Sequence, residues 1–218
     1  MSVNNTSLLL ENKNLSTFEI TENFTCIRFL NQNKERFELE FNLEKGTSFN
    51  TFLIISGDEL FIIHPPEKEY SKLINEVISN FFLQFKFKRI NIITGHVNPK
   101  IIETIKSISL KFSNLAITCS NPGSKLISEL WNQKNPKLET FIEQELPKIN
   151  IVKKELNLEL ENISLKLLPV ATARWPGGLI VYEENQEILL SEKIFSAHLV
   201  SEEWSETNRI STETDRKH

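Results

Sequence analysis

The chain has 218 residues, 25 Lys and Arg against 29 Asp and Glu, a formal net charge of −4 and a hydrophobic fraction of 39%. That length supports one domain with a sizeable core and falls short of two. The ordinary composition excludes wholesale disorder, the mild acidity excludes a general nucleic-acid or membrane-surface binder, and no apolar run reaches the roughly 18–20 residues that cross a bilayer.

In chain order, residues 1–20 are largely polar around Leu8-Leu9-Leu10 and read as a flexible lead-in; the leucine run is too short for a signal peptide. Strands are predicted at Phe24–Phe29, Arg36–Phe41, Thr51–Ile55 and Leu60–Ile63, with Gly46-Thr47-Ser48 and Ser56-Gly57-Asp58 as turns. After Pro65-Pro66 the period changes: Tyr70, Leu73, Ile74, Val77, Ile78 and Phe81 lie three or four apart, the stripe of an amphipathic helix.

Ile90–Thr94 reads as a short buried strand, Gly95–Pro99 as a loop, Ile101–Phe112 as a helix and Leu115–Cys119 as a strand. Ser120-Asn121-Pro122-Gly123 is a turn that caps a helix running to about Trp131. The polar stretch Asn132–Pro147 reads as a surface excursion, followed by strands at Ile149–Val152, Leu156–Leu160, Ile163–Leu168, Leu179–Tyr182 and Ile188–Ser191. The tail, residues 201–218, is polar without apolar periodicity. Hairpins, then β-α-β-α, then hairpins again specify a layered α/β protein in a single domain, residues 21–200.

Polar residues gather at three strand ends, where α/β sheets build their sites. They are Thr94-Gly95-His96-Val97-Asn98-Pro99-Lys100, Ala173-Arg174-Trp175-Pro176-Gly177-Gly178, and Ser191-Glu192-Lys193-Ile194-Phe195-Ser196-Ala197-His198. Several residues are expected to be structural. His64 is expected at the surface or satisfied by neighbours, Trp175 under its own loop, and the phenylalanines at 81, 82, 85 and 87 in the core. Cys26 and Cys119 read as buried small hydrophobes, with a disulfide as the alternative. No Ser-His-Asp order, P-loop or Gly-x-Gly-x-x-Gly is present, so neither a nucleophilic hydrolase nor a nucleotide-binding fold is supported.

Taken in order, Cys26-Ile27-Arg28, Arg36-Phe37-Glu38, Glu44-Lys45-Gly46-Thr47-Ser48, Gly95-His96-Val97-Asn98-Pro99, Cys119-Ser120-Asn121-Pro122-Gly123, Arg174-Trp175-Pro176 and Ser191-Glu192-Lys193 resemble the β-lactamase-like domain of the cyanobacterial flavodiiron proteins, the diflavin flavoproteins. The resemblance implies a metallo-β-lactamase-like αββα sandwich, cut short at its C-terminus, in a cytoplasmic oxidoreductase. Such proteins carry electrons from a reduced nicotinamide, or from photosynthesis, through flavin to a di-iron centre that reduces oxygen to water. It further implies FMN, with FAD as a second candidate, in domains outside this chain. The implied assembly is a homo- or heterodimer with a ligand-intact paralogue.

The resemblance puts the iron ligands at His96, Asn98, Lys100, Ile101, Arg174 and Lys193, and a further histidine near the site at His198. Of the six, His96 alone is a good ligand type, because iron and zinc need imidazole, carboxylate or thiolate donors. A unit charge ~4 Å away interacts by roughly 4 kcal/mol at an effective dielectric near 20, and a divalent ion by twice that, so each cation there would repel a metal. The expectation is a metal-free, degenerate pocket, balanced by an acidic side chain such as Glu192 or Glu103 or by a bound anion. A non-catalytic anion-sensing or protein-interaction module is the alternative function.

Overall fold

A computed structural model of the protein describes residues 14–31, 47–133 and 144–194. Eleven strands and three α-helices lie among these residues: β1 (Leu15–Thr21), β2 (Phe24–Asn31), β3 (Thr47–Ser56), β4 (Glu59–Ile63), α1 (Ser71–Gln84), β5 (Arg89–Ile93), α2 (Pro99–Lys111), β6 (Leu115–Ser120), α3 (Asn121–Asn132), β7 (Lys148–Val152), β8 (Leu156–Glu159), β9 (Ser164–Pro169), β10 (Leu179–Glu183) and β11 (Ile188–Leu190).

They form a seven-stranded sheet ordered β1 to β7 and a four-stranded sheet ordered β11-β10-β9-β8. In the larger sheet β1 to β4 pair antiparallel, while β4 to β7 run parallel. The period of two assigns each face a separate core. Leu53, Ile62, Ile92, Ile117 and Ile149 stand in one row across five strands and pack with Ile74, Ile78, Ile102, Ile105, Ile127 and Trp131 of the helices. On the opposite face Phe24, Ile54, Phe61, Ile63 and Ile93 meet Leu165, Leu167, Leu179, Val181 and Leu190 of the smaller sheet. The described layers are thus helix, sheet, sheet, the metallo-β-lactamase-like arrangement expected.

Both α2 and α3 start on a side-chain cap followed by proline, which has no amide hydrogen to leave unpaired at a helix start. Asn98 accepts from Ile101 N at 2.8 Å and Ser120 accepts from Gly123 N at 3.2 Å.

Two expectations need correction. Residues 15–20, read as lead-in, belong to β1, which pairs with β2 along its length; polar residues alternate there because an edge strand faces solvent, while Leu15 is buried and Arg28 lies 5.3 Å from the Phe18 ring centroid. Thr47 and Ser48, read as a turn, open β3 opposite Asn31 and Leu30, since the pairing extends further than apolar residues alone indicate. The predicted strand Arg36–Phe41, the end of the segment from Phe195 including His198, and the tail 201–218 lie outside the described residues.

Cys26 and Cys119 are both buried and free, and burial pushes each thiol up to about 12. They are packing residues and not a redox pair.

Candidate functional site

The parallel strands β4, β5 and β6 end together, so the turns that follow them line one edge of the larger sheet. At such an edge backbone groups run out of sheet partners and side chains take over. His64, directly after β4, has φ 57° and is 2% exposed. Its backbone N–H donates to Ile93 O at 2.8 Å, and its carbonyl accepts from Thr51 Oγ1 at 2.8 Å. The ring reaches into the second sheet: Nε2 lies 3.1 Å from the Leu190 carbonyl, which can only accept, so Nε2 carries the proton. Nδ1 has no partner among the described residues. Burial, partly opposed by that hydrogen bond and reinforced by Lys193, pushes the imidazole down to about 4, so it is neutral.

After β5, Thr94 Oγ1 donates to the His96 carbonyl at 2.7 Å, and Leu179 N donates to Gly95 O at 3.3 Å. Gly95 is required here, since a Cβ would stand 2.0 Å from the Leu179 carbonyl oxygen. After β6, Ser120 Oγ donates to Gly177 O at 2.9 Å. These bonds pin the loop 170–178 across the sheet edge. Within the loop, Trp175 and Thr172 exchange backbone hydrogen bonds of 3.1 Å, and Gly178 N donates to Trp175 O at 3.0 Å.

Each of the six positions singled out in the sequence has its own surroundings. His96 is partly buried; burial first, then Lys193, hold its imidazole below the usual range, with Glu67 pulling the other way. Asn98 spends its carbonyl on capping α2 and donates through Nδ2 to Glu67 Oε1 at 3.2 Å. Lys100 pairs with Glu67 at 3.2 Å and Glu69 at 2.7 Å, and the hydrogen bond it donates to Glu69 leads the causes that raise its ammonium above the usual range. Ile101 is 1% exposed in the helix-side core. Arg174 is exposed, its guanidinium carbon 5.6 Å from the Trp175 ring centroid. Lys193 Nζ stands 5.3 Å from the Phe49 ring centroid.

The balancing carboxylates expected from sequence were Glu192 and Glu103. Glu103 pairs instead with Lys68, and Lys100 takes Glu67 and Glu69. The reason is proximity: the 3-10 turn Lys68–Tyr70 lies against the first turn of α2. Glu192 is partly buried with φ 54°, and burial, only partly offset by Lys193, pushes its carboxyl up to about 7. Sequence reasoning missed Glu67 and Glu69. Their signal was two acids in the turn after a strand whose end faces a predicted lysine.

Space is scarce beside this cluster. The cavity among Gly95, Trp175, Glu192 and Lys193 measures about 10 Å³, room for about one water. Among the described residues no three His, Cys, Asp or Glu side chains stand close enough to hold a metal ion, and no helix is long and apolar enough to cross a membrane.

Comparison with known proteins agrees with this architecture. The profile of the ODP family beta lactamase matches residues 47–216. A diflavin flavoprotein A 5 of Nostoc sp. strain PCC 7120 is 28% identical over 211 residues, covering 94% of this chain and 34% of that protein. A diflavin flavoprotein A 3 of Synechocystis sp. strain PCC 6803 is 26% identical over 216 residues, covering 97% and 34%. The chain therefore spans about a third of the length of the curated relatives it matches. Among solved structures, fragment 1–254 of the Nostoc A 5 protein superposes with a TM-score of 0.70 at 27% identity, covering 88% of this chain and 71% of that one. The metal-soaked Flv1 flavodiiron core from Synechocystis sp. PCC6803 gives 0.69 at 25% identity, covering 86% and 44%. With the family profile spanning most of its length and flavodiiron cores sharing its fold, the chain belongs to the ODP beta lactamase family.

Proposed function

We propose that this chain is a metal-free β-lactamase-like domain of a flavodiiron-type oxidoreductase, serving reduction of oxygen to water as the partner of a paralogue with an intact iron site. The reading rests on one observation: four of the six expected ligand positions hold residues committed elsewhere. Asn98 caps a helix, Lys100 is held by two carboxylates, Ile101 is core, and Arg174 lies over Trp175. An ammonium or guanidinium group cannot ligate iron, and an alkyl chain has no donor, so this set does not fit a di-iron centre. The relatives, named diflavin flavoproteins and about three times as long, support a redox setting in which FMN, and FAD if present, would sit in regions outside the matched third.

The domain's own contribution is then structural: it offers a folded surface and a rigid loop carrying Arg174 and Trp175 to a second subunit, in the cytoplasm. The anion-sensing alternative rests chiefly on Lys193, which acts on both His64 and His96; Lys100 already has its own counter-charges.

The test is iron content by mass spectrometry on protein purified without chelators, before and after incubation with ferrous iron, followed by co-purification with a ligand-intact paralogue. Less than about a tenth of an equivalent of iron together with recovery of the paralogue supports the reading. A full di-iron complement would overturn it.

A further inference from the structure

The turn after β4 is fastened to α2 by charge. The turn after β4 supplies Glu67, Lys68 and Glu69, and the start of α2 supplies Asn98, Lys100 and Glu103. Four contacts join them: Lys100 to Glu67 at 3.2 Å, Lys100 to Glu69 at 2.7 Å, Asn98 Nδ2 to Glu67 Oε1 at 3.2 Å, and the Lys68–Glu103 ion pair. The signs impose a single register. Sliding the turn so that Lys68 met Lys100 would set like charges together and strand the carboxylates. Glu67 also acts electrostatically on His96 and on Glu192.

We propose that Lys100 is a tethered counter-cation: its ammonium, held between Glu67 and Glu69, locks the turn after β4 onto α2. An exchangeable cation bridging the same carboxylates would respond to metal supply. A lysine cannot leave, so this edge stays closed whatever metal or chelator is present, and it loosens only as salt screens the pairs. Lys100, Glu67 and Glu69 are 44%, 28% and 42% exposed in their side chains, which makes each pair weak and leaves the strength to the network. The inference extends the metal-free reading given above but rests on contacts that stand without it.

The experiment is hydrogen–deuterium exchange of residues 67–71 and 101–105 in the unmodified protein, Lys100→Met and Lys100→Arg, with iron content measured on the same samples. Lys100→Met is expected to speed exchange in both segments by about two- to ten-fold, and Lys100→Arg to stay within about two-fold. Raising salt from about 0.05 to 0.5 M should move the unmodified protein toward Lys100→Met, and chelator should change nothing. Unchanged exchange in Lys100→Met would overturn the proposal. So would equal loosening in Lys100→Arg, which would assign the effect to packing of the chain. Should Lys100→Met fail to fold, the salt series decides alone: salt-insensitive exchange in both segments refutes the lock. Iron uptake by the unmodified protein would refute the metal-free reading while leaving the exchange result to judge the lock.

Discussion

Gly95→Ala tests whether the two sheets are joined as closely as the structure requires. Gly95 follows β5, and its carbonyl accepts from Leu179 N of the smaller sheet at 3.3 Å. A Cβ built there would lie 2.0 Å from Leu179 O and 3.0 Å from His64 Cε1. Ordinary contact needs more than an ångström of additional separation, and the obstructing atom is backbone. Relief must therefore come from pulling β10 away from the larger sheet, which loosens Leu179 and Val181 in the inter-sheet core. Overpacking a well-filled site costs about 1–3 kcal/mol when side chains can adjust; with backbone on the far side we expect the upper end, about 3 kcal/mol. For a domain of this size that lowers Tm by roughly 6–12 °C. Urea unfolding of Gly95→Ala beside the unmodified protein measures it. A change below about 0.5 kcal/mol with an unaltered slope would refute the close approach.

Asn98→Ala removes the cap of α2 and is expected to cost about 1 kcal/mol in the same assay. Asn98→Asp, ordinarily as good a cap, should give no gain, because it replaces the donor facing Glu67 Oε1 at 3.2 Å with a second carboxylate. Glu183, 1% exposed, accepts from Asn185 N at 3.0 Å and Gln186 N at 2.7 Å to hold the β10–β11 turn; Glu183→Ala should cost about 1–2 kcal/mol by removing both hydrogen bonds, since the freed amides of exposed Asn185 and Gln186 turn to water. The Glu192 carboxyl, pushed up from 4.5 to about 7, keeps its proton in the folded state after the unfolded chain has lost it. Stability from this group is therefore full below about 4.5 and declines as pH rises to about 7, by at most about 3 kcal/mol and by ~1–2 allowing for residual water access. Buried neutral His64 acts oppositely between about 4 and 6.5, so the difference between the unmodified protein and Glu192→Gln isolates Glu192: it should widen in favour of Gln across pH 4.5–7, and a constant difference would sink the assignment.

Much of the scaffold was legible because its periodicities are local. The spacing of Ile74, Val77, Ile78 and Phe81 gives α1, and the apolar runs before Thr94 and Cys119 give β5 and β6. The strand β1 was not legible: Ser16, Thr17, Glu19 and Thr21 break up its apolar residues Leu15, Phe18 and Ile20, and only pairing with β2 defines it. At the site, the positions His96, Asn98, Lys100 and Arg174 were found at strand ends as expected, but their partners were not. Which carboxylate meets Lys100 depends on how the turn after Pro66 folds back on α2, and spacing along the chain carries no such information. His64 shows the same limit, because its ring partner is Leu190, 126 residues away.

The site's electrostatics follow from where each charge can still reach water. Lys100, Glu67 and Glu69 keep access to water, where pairing is individually weak and reversible, so three charges can share a few ångströms. Further in, His64 is neutral and the Glu192 carboxyl is pushed up to about 7, because desolvation there outweighs any single neighbour. A metal would reverse that order, drawing ionised carboxylates inward and leaving lysines outside. In this chain the Lys100 cation is covalently part of α2 and the interior groups shed charge. This edge of the larger sheet thus keeps its shape through helix capping, an inter-sheet glycine contact and a set of ion pairs, each of which can be removed separately by one substitution.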